Sequence, residues 1–242
     1  MLYNRILEKQ SKEKMLVLLF DPDKTNEKTL GDIVKRADRA GFDFFLMGGS
    51  LISKGVNENI ATIKKASPKP VFLFPGNLLQ LCDQADGILL LSLISGRNPD
   101  FLIGNHVNAA QFLKRSKLEI VPTGYMLIET GRRSSVEYMS YTIPIPGNKP
   151  DIAVATAIAG EMLGLKLIYL EGGSGSDGPI NTEIISAVKK NISIPLMVGG
   201  GIRSAEAVRQ AYDAGADIVV IGSAVEENPS IIEELSKAKH DQ

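Results

Sequence analysis

Eight short runs of uninterrupted apolar residues constrain the fold more than any other feature of the chain. They are MLVLLF at 15–20, FDFFLM at 42–47, PVFLF at 70–74, GILLLSL at 87–93, LEIVPTGYMLI at 118–128, LKLIYLE at 165–171, IPLMVGG at 194–200 and ADIVVIG at 216–222. A strand with one wet face alternates apolar and polar residues, whereas runs without alternation belong to strands covered on both faces, as in parallel sheets. Helical spacing fills the gaps: Leu30, Ile33, Val34 and Ala37 share a face before Gly41, and Ser204 precedes Ala207, Val208, Ala211 and Tyr212 before Gly215. Eight strand-helix units in 242 residues leave about 30 residues each, close to the ~250 residues of a (β/α)8 barrel. The expected architecture is a single (β/α)8 TIM-type barrel domain over 1–242. A doubly wound sheet is the alternative, but it would spread apart the chemistry-bearing segments that follow strands one, two, six, seven and eight. A barrel gathers them on one rim.

Two segments depart from the repeating pattern. PGNLLQLCDQAD, between Phe74 and Gly87, has room for only about two helical turns, so the barrel is expected to be modified around its third helix. Either that helix is simply short, or the thin wall opens sideways for an elongated apolar ligand. In DIAVATAIAGEMLG, 151–164, small and apolar residues occupy nearly every helical face, which points to deep burial or to a subunit interface.

Charge excludes some partners. With 27 Lys+Arg against 28 Asp+Glu, scattered rather than striped, no nucleic-acid surface is expected. The longest apolar runs fall far short of the ~18–20 residues that span a bilayer, and MLYNRILEKQSKEK turns polar too soon for a secretory signal. A soluble cytoplasmic protein is expected. Cys82 is the only cysteine, so it reads as core filler. His106, inside a helical pattern, and His240, in a polar tail, are assigned no chemistry.

The strongest chemical signal is the pair VGGGIRS, 198–204, and IGSAVEE, 221–227. Gly199, Gly200 and Gly201 let backbone approach a ligand, the helix beginning near Ser204 presents N–H groups, and Gly222 with Ser223 adds more. Loops after strands seven and eight are a recurrent phosphate site of such barrels. YLEGGSGSDGP, 169–179, follows strand six, and Glu171 at its start is placed to accept a hydroxyl proton; a solvated loop carboxylate is the alternative. Asp21 and Asp23 in FDPDK form either a turn cap or part of a magnesium site, with Ser50 of GGS adding a hydroxyl. Arg132 and Arg133 mark a solvated loop or a contact to a second phosphate.

Taken together, DPDK, GGS, GYMLIETG, KPDIAVATAIAGEMLGLKLIYLEGGSG, VGGGIRS and IGSAVEE resemble the geranylgeranylglyceryl phosphate synthase family, which includes bacterial heptaprenylglyceryl phosphate synthases. The resemblance implies a prenyltransferase that joins sn-glycerol 1-phosphate to a long prenyl diphosphate with Mg2+, releasing diphosphate. It implies Asp21 and Ser50 as the magnesium-site residues, and Glu171 and Tyr169 at the catalytic centre. It further implies that glycerol phosphate is held by Tyr169, Leu170, Glu171, Gly172, Gly173, Ser174 and Gly175, by Gly200 and Gly201, and by Gly222 and Ser223. The bacterial branch carries a lysine two positions before the first aspartate. Leu19 stands here instead, which favours geranylgeranyl diphosphate as donor. A homo-oligomer and transient membrane contact are also expected. Two rivals remain: another phosphate-binding barrel enzyme, either a sugar-phosphate isomerase or a flavin mononucleotide enzyme, and a non-catalytic glycerol phosphate-binding module. The isomerase would need a second acid after strand five, where IVPTGYMLIE offers none before Glu129.

Overall fold

The structure is a computed structural model describing residues 1–10 and 12–240. Its eight parallel strands close into a barrel in sequence order. They are β1 (Met15–Phe20), β2 (Phe44–Met47), β3 (Val71–Leu73), β4 (Gly87–Leu93), β5 (Glu119–Leu127), β6 (Leu167–Glu171), β7 (Leu196–Gly199) and β8 (Ile218–Ile221). Each lies within one of the apolar runs; pairing of Val17 with Phe44 joins the first strand to the second, and pairing of Leu18 with Ile221 joins the last strand to the first. Alternation along each strand sorts side chains into two cores. Leu16, Leu18, Ile168 and Leu170 pack outward against helices, while Met15, Val17, Leu167 and Tyr169 fill the barrel.

The helices are α1 (Leu2–Gln10), α2 (Glu27–Ala40), α3 (Asn57–Ala66), α4 (Asn105–Arg115), α5 (Ser135–Ser140), α6 (Pro150–Met162), α7 (Thr182–Asn191), α8 (Ala205–Asp213), α9 (Ser223–Glu227) and α10 (Ile232–His240). Asn26 caps α2 by accepting the Lys28 N–H, and Gly41 ends it at φ 93°, a left-handed conformation that glycine adopts without steric cost. Ser204 caps α8 as expected, its hydroxyl 3.2 Å from the Ala207 nitrogen.

Helix α1 is an addition to the sequence-based expectation. Only Leu2 and Ile6 mark its apolar face, too few for a periodic signal, yet both are buried in the inner core and close the N-terminal end of the barrel. There Asp217, almost fully buried, accepts the Leu196 N–H at 2.8 Å and the Lys189 ammonium at 2.6 Å. Asp217→Ala strands both donors and is expected to cost about 2–3 kcal/mol, given that Lys189 keeps some solvent. That corresponds to a fall in Tm of roughly 4–12 °C, measurable by thermal unfolding.

Between β3 and β4 the chain makes only one 3-10 turn, Leu78–Gln80. The consequence falls on the next strand: Leu90 and Ser92, on the outer face of β4, are only half-buried, because no full helix covers them. A π-helical turn, Asp100–Gly104, then leads into α4. Helix α6 is not deeply buried on every face. Ala153, Ala157 and Gly160 are buried, while Ile152, Met162 and Leu163 are exposed. Cys82 is buried as core filler. No helix among the described residues is long and apolar enough to cross a membrane.

Candidate active site

Barrel closure brings the segments after β1, β2, β6, β7 and β8 around one cleft of about 360 Å3, a size that suits a small ligand. Asp21, Ser50, Tyr169, Glu171, Ser174, Gly175, Gly200, Gly201, Gly222 and Ser223 all line it. Strand geometry accounts for Tyr169 and Glu171: two residues apart on β6, both face inward. Leu170 between them is fully buried in the outer core, so its side chain does not reach the cleft. Gly172 and Gly173 are also buried and lie behind the lining. Gly172 donates its N–H to the Gly199 carbonyl at 2.9 Å and accepts the Thr130 hydroxyl at 2.7 Å. Gly173 donates to Glu171 Oε1 at 2.6 Å.

Glu171 is therefore not a solvated loop carboxylate. It is buried at the end of β6, and burial raises its pKa above the ordinary value. The Gly173 N–H and the phenols of Tyr125 and Tyr169 oppose that rise by favouring the charged form. Both phenols have pKa values pushed well up by burial and by the neighbouring carboxylate, so they stay protonated. The result is a carboxyl group more basic than a free one, held by three hydrogen-bond donors that favour its charged form, the property a general base needs.

Tyr169 fits because Gly199 beside it has no side chain: a Cβ there would lie 2.2 Å from the phenol oxygen. Gly200, at φ 88°, likewise leaves room for Glu171, since a Cβ would fall 2.7 Å from Oε1. The helix end at the cleft differs from the expected one. Gly222, Ser223 and Ala224, opening the short α9, line the cleft, whereas Ser204 at the start of α8 does not. Loops after strands seven and eight, with a short additional helix, are the usual phosphate-binding arrangement of this barrel. Ser174 Oγ stands 3.2 Å from Ser223 Oγ, joining the β6 loop to α9.

Across the cleft, Asp21 Oδ1 accepts the Asp23 N–H at 3.0 Å, and its Oδ2 lies 3.5 Å from the Lys24 ammonium. Asp23 is a turn cap: its carboxylate accepts the N–H groups of Ser53 and Lys54, which lower its pKa. The residues present fit a magnesium ion. Asp21 Oδ2 already faces a cation, and a side chain on Gly49 would come within 3.3 Å of the Asp21 carboxylate, so glycine keeps that face open. Ser50 offers a hydroxyl on the same wall. Among the described residues no group of three His, Cys, Asp or Glu side chains could enclose a metal. Mg2+ needs no such enclosure: it takes one or two carboxylates and completes its shell with ligand oxygens and water.

Arg132 and Arg133 are exposed and do not line the cleft; Arg132 lies 4.0 Å from Asp177. His106 lines a second cavity, its Nε2 3.2 Å from Ser92 Oγ, with its pKa lowered by burial. The His240 side chain lies outside what the structure describes. That second cavity is an apolar groove beside the truncated third connection, lined by Leu78, Leu81, Ile88, Leu90, Leu91 and Phe101 among others. It meets the polar cleft at Gly49, Ser50, Phe74, Tyr125 and Val136, which line both. At this junction the rings of Phe74, Tyr125 and Tyr169 pack in a triangle, with centroids 5.1–5.7 Å apart.

Sequence reasoning missed Phe74, Tyr125 and Glu226 as site residues. Glu226, half-buried, accepts the Asp21 N–H at 2.8 Å, and burial raises its pKa. The signal for Tyr125 was its pairing register opposite Tyr169, which only the closed barrel reveals.

Known proteins resemble this chain in sequence and fold. The PcrB family profile matches residues 6–239. A geranylgeranylglyceryl phosphate synthase of Spirosoma linguale is 50% identical over 229 residues, covering 94% of this chain and 92% of its own. The enzyme of the same name from Thermococcus gammatolerans is 42% identical over 228 residues, covering 93% and 90%. Among solved structures, (S)-3-O-geranylgeranylglyceryl phosphate synthase of Thermoplasma acidophilum, in complex with its substrate sn-glycerol-1-phosphate, superposes with a TM-score of 0.94. It has 29% identity, covering 99% of this chain and 98% of that one. Matched by the family profile from residue 6 to 239 and by a relative 50% identical over 94% of its length, this closed barrel is a member of the PcrB family, alongside the geranylgeranylglyceryl phosphate synthases.

Proposed function

We propose that this protein is a cytoplasmic, Mg2+-dependent prenyltransferase that joins sn-glycerol 1-phosphate to a long-chain prenyl diphosphate, geranylgeranyl diphosphate above all. One observation carries the reading: a polar, glycine-lined cleft and an apolar groove meet at the aromatic triangle beside Glu171. A phosphorylated alcohol suits the first cavity and an isoprenoid chain the second, so the bond to be made falls between them. The homologues' names and the glycerol phosphate complex of the Thermoplasma acidophilum enzyme support the same acceptor.

The chemistry follows from the residues. Gly200, Gly201, Gly222 and Ser223 fix the phosphate end, which directs the far hydroxyl of glycerol toward Glu171. An alcohol is a weak nucleophile, so activation falls on the allylic donor. Asp21 and Ser50 would hold the magnesium ion, which would neutralise the departing diphosphate. The donor C–O bond breaks with its electron pair leaving on diphosphate, and positive charge grows on the allylic carbon. The rings of Phe74, Tyr125 and Tyr169 stand at the junction where that charge grows, and aromatic rings favour a nearby cation. The glycerol oxygen then forms the ether bond and gives its proton to Glu171.

Two titrations test the reading. Calorimetry should show sn-glycerol 1-phosphate binding to the wild-type protein and no measurable binding to Ser223→Glu, which puts a carboxylate in the anion site. Asp21→Ala should shift the Mg2+ dependence of turnover by at least about tenfold, the effect of removing one charged ligand. Retained binding in the first variant, or an unaltered Mg2+ curve in the second, contradicts the assignment. The sugar-phosphate isomerase alternative finds no support: Glu129 is exposed and does not line the cleft, which leaves no second acid at the end of β5. Exposed Ile152, Met162 and Leu163 on α6 favour self-association, so light scattering should give more than the monomer mass.

A further inference from the structure

A prenyl diphosphate brings two or three negative charges into a cleft already lined by Asp21, Asp23, Glu171 and Glu226. One magnesium ion leaves that charge incompletely balanced. Among the described residues, two cationic side chains line the cleft, Lys24 and Arg203. Arg203 is committed, its guanidinium 2.7 Å from the Glu227 carboxylate. Lys24 is not. Its ammonium stands 3.5 Å from Asp21 Oδ2 and 3.8 Å from Glu226 Oε2, both longer than the roughly 2.7–2.9 Å of a made charge-assisted bond, and the side chain is 49% exposed.

The position of the ammonium is as informative as its looseness. It stands beside the one carboxylate that would hold a magnesium ion, and two cations close to one carboxylate would repel each other. Its remaining contact, Ser174 Oγ at 3.3 Å, lies toward the acceptor end of the cleft. With a cation held at Asp21, the Lys24 ammonium would be left without that partner and free to meet an anion. The anion that comes with the metal is the donor's diphosphate. The phosphate of glycerol phosphate, by contrast, is served by backbone N–H groups of the β7 and β8 loops.

We propose that Lys24 is a second cation of the leaving-group site, binding the donor diphosphate and remaining on it while the allylic C–O bond breaks. The proposal rests on the prenyl-transfer reading of the cleft. The electron pair of the breaking bond goes to a diphosphate oxygen, the glycerol proton goes to Glu171, and Lys24 stays protonated throughout, contributing charge alone. A lysine suits the task because its stem lets the ammonium follow the diphosphate from its bound position toward release.

Calorimetric titration of inorganic pyrophosphate, in the presence of Mg2+, tests this without turnover. Lys24→Met should weaken pyrophosphate binding by about 10–100-fold, the worth of one charge-assisted contact, and raise the donor KM or lower kcat. Its Kd for sn-glycerol 1-phosphate should change by less than about twofold. Lys24→Arg should restore most of the pyrophosphate affinity. Unchanged pyrophosphate binding in Lys24→Met overturns the proposal, as does a loss confined to glycerol phosphate, which would place Lys24 on the acceptor through Ser174. A wild-type protein that binds neither ligand refutes the underlying transfer reading itself, an outcome distinct from either variant result.

Discussion

Glu171→Gln should leave glycerol phosphate binding intact and lower turnover by about 10²–10⁴-fold, the usual contribution of a positioned general base. The amide keeps the shape of the carboxylate and one oxygen for the Gly173 N–H, so the loop stays in place. It cannot take a proton. Wild-type rate should rise with pH as Glu171 ionises. Because burial raises that pKa, the acid limb should fall above the ordinary glutamate value of about 4.3, and the variant should lose it. A pH–rate profile of both proteins, with calorimetry of glycerol phosphate, checks the three statements together. Unchanged turnover in the variant removes Glu171 from the chemistry.

Leu90→Trp should discriminate among donors by length. Leu90 lies half-buried on β4, lining the groove that the short connection after β3 leaves open. An indole there takes up groove space. Each donor methylene kept out of the groove forfeits about 0.8 kcal/mol, so excluding four of them lowers kcat/KM for a long donor by about 100-fold or more. A donor too short to reach that point should lose little, and glycerol phosphate affinity should stay as it was. Kinetics with prenyl diphosphates of graded length, alongside a thermal unfolding curve to show that the barrel is intact, measure this. Equal losses for short and long donors would show that the isoprenoid chain lies elsewhere.

The barrel was legible in the sequence because its strands are covered on both faces, so apolar runs such as MLVLLF and GILLLSL betray their positions without alternation. Rim segments were legible for a related reason: a run that ends in Glu171 or opens into Gly199–Gly201 announces residues that packing alone does not require. What escaped depends on closure. Tyr125 and Phe74 are ordinary strand residues until β5 is set beside β6 and the third connection is shortened, which places both at the junction of cleft and groove. Leu170 was grouped with its neighbours by motif, but the two-residue strand period turns it away from them. Helix α1 offered two apolar contacts four residues apart, below any periodic signal, and it is held instead by the Glu119 carboxylate accepting the N–H groups of Leu2 and Tyr3. The helix start that borders the cleft is that of α9 rather than α8, a matter of distance that sequence spacing does not carry.

The central claim is that the two cavities meet so that a glycerol hydroxyl and an allylic carbon react beside Glu171. Incubation of the purified protein with radiolabelled sn-glycerol 1-phosphate, Mg2+ and prenyl diphosphates of graded length, followed by organic extraction, tests it most directly. The account predicts an extractable, ether-linked prenylglyceryl phosphate formed with long donors and dependent on Mg2+. Label remaining wholly in the aqueous phase with every donor would contradict it.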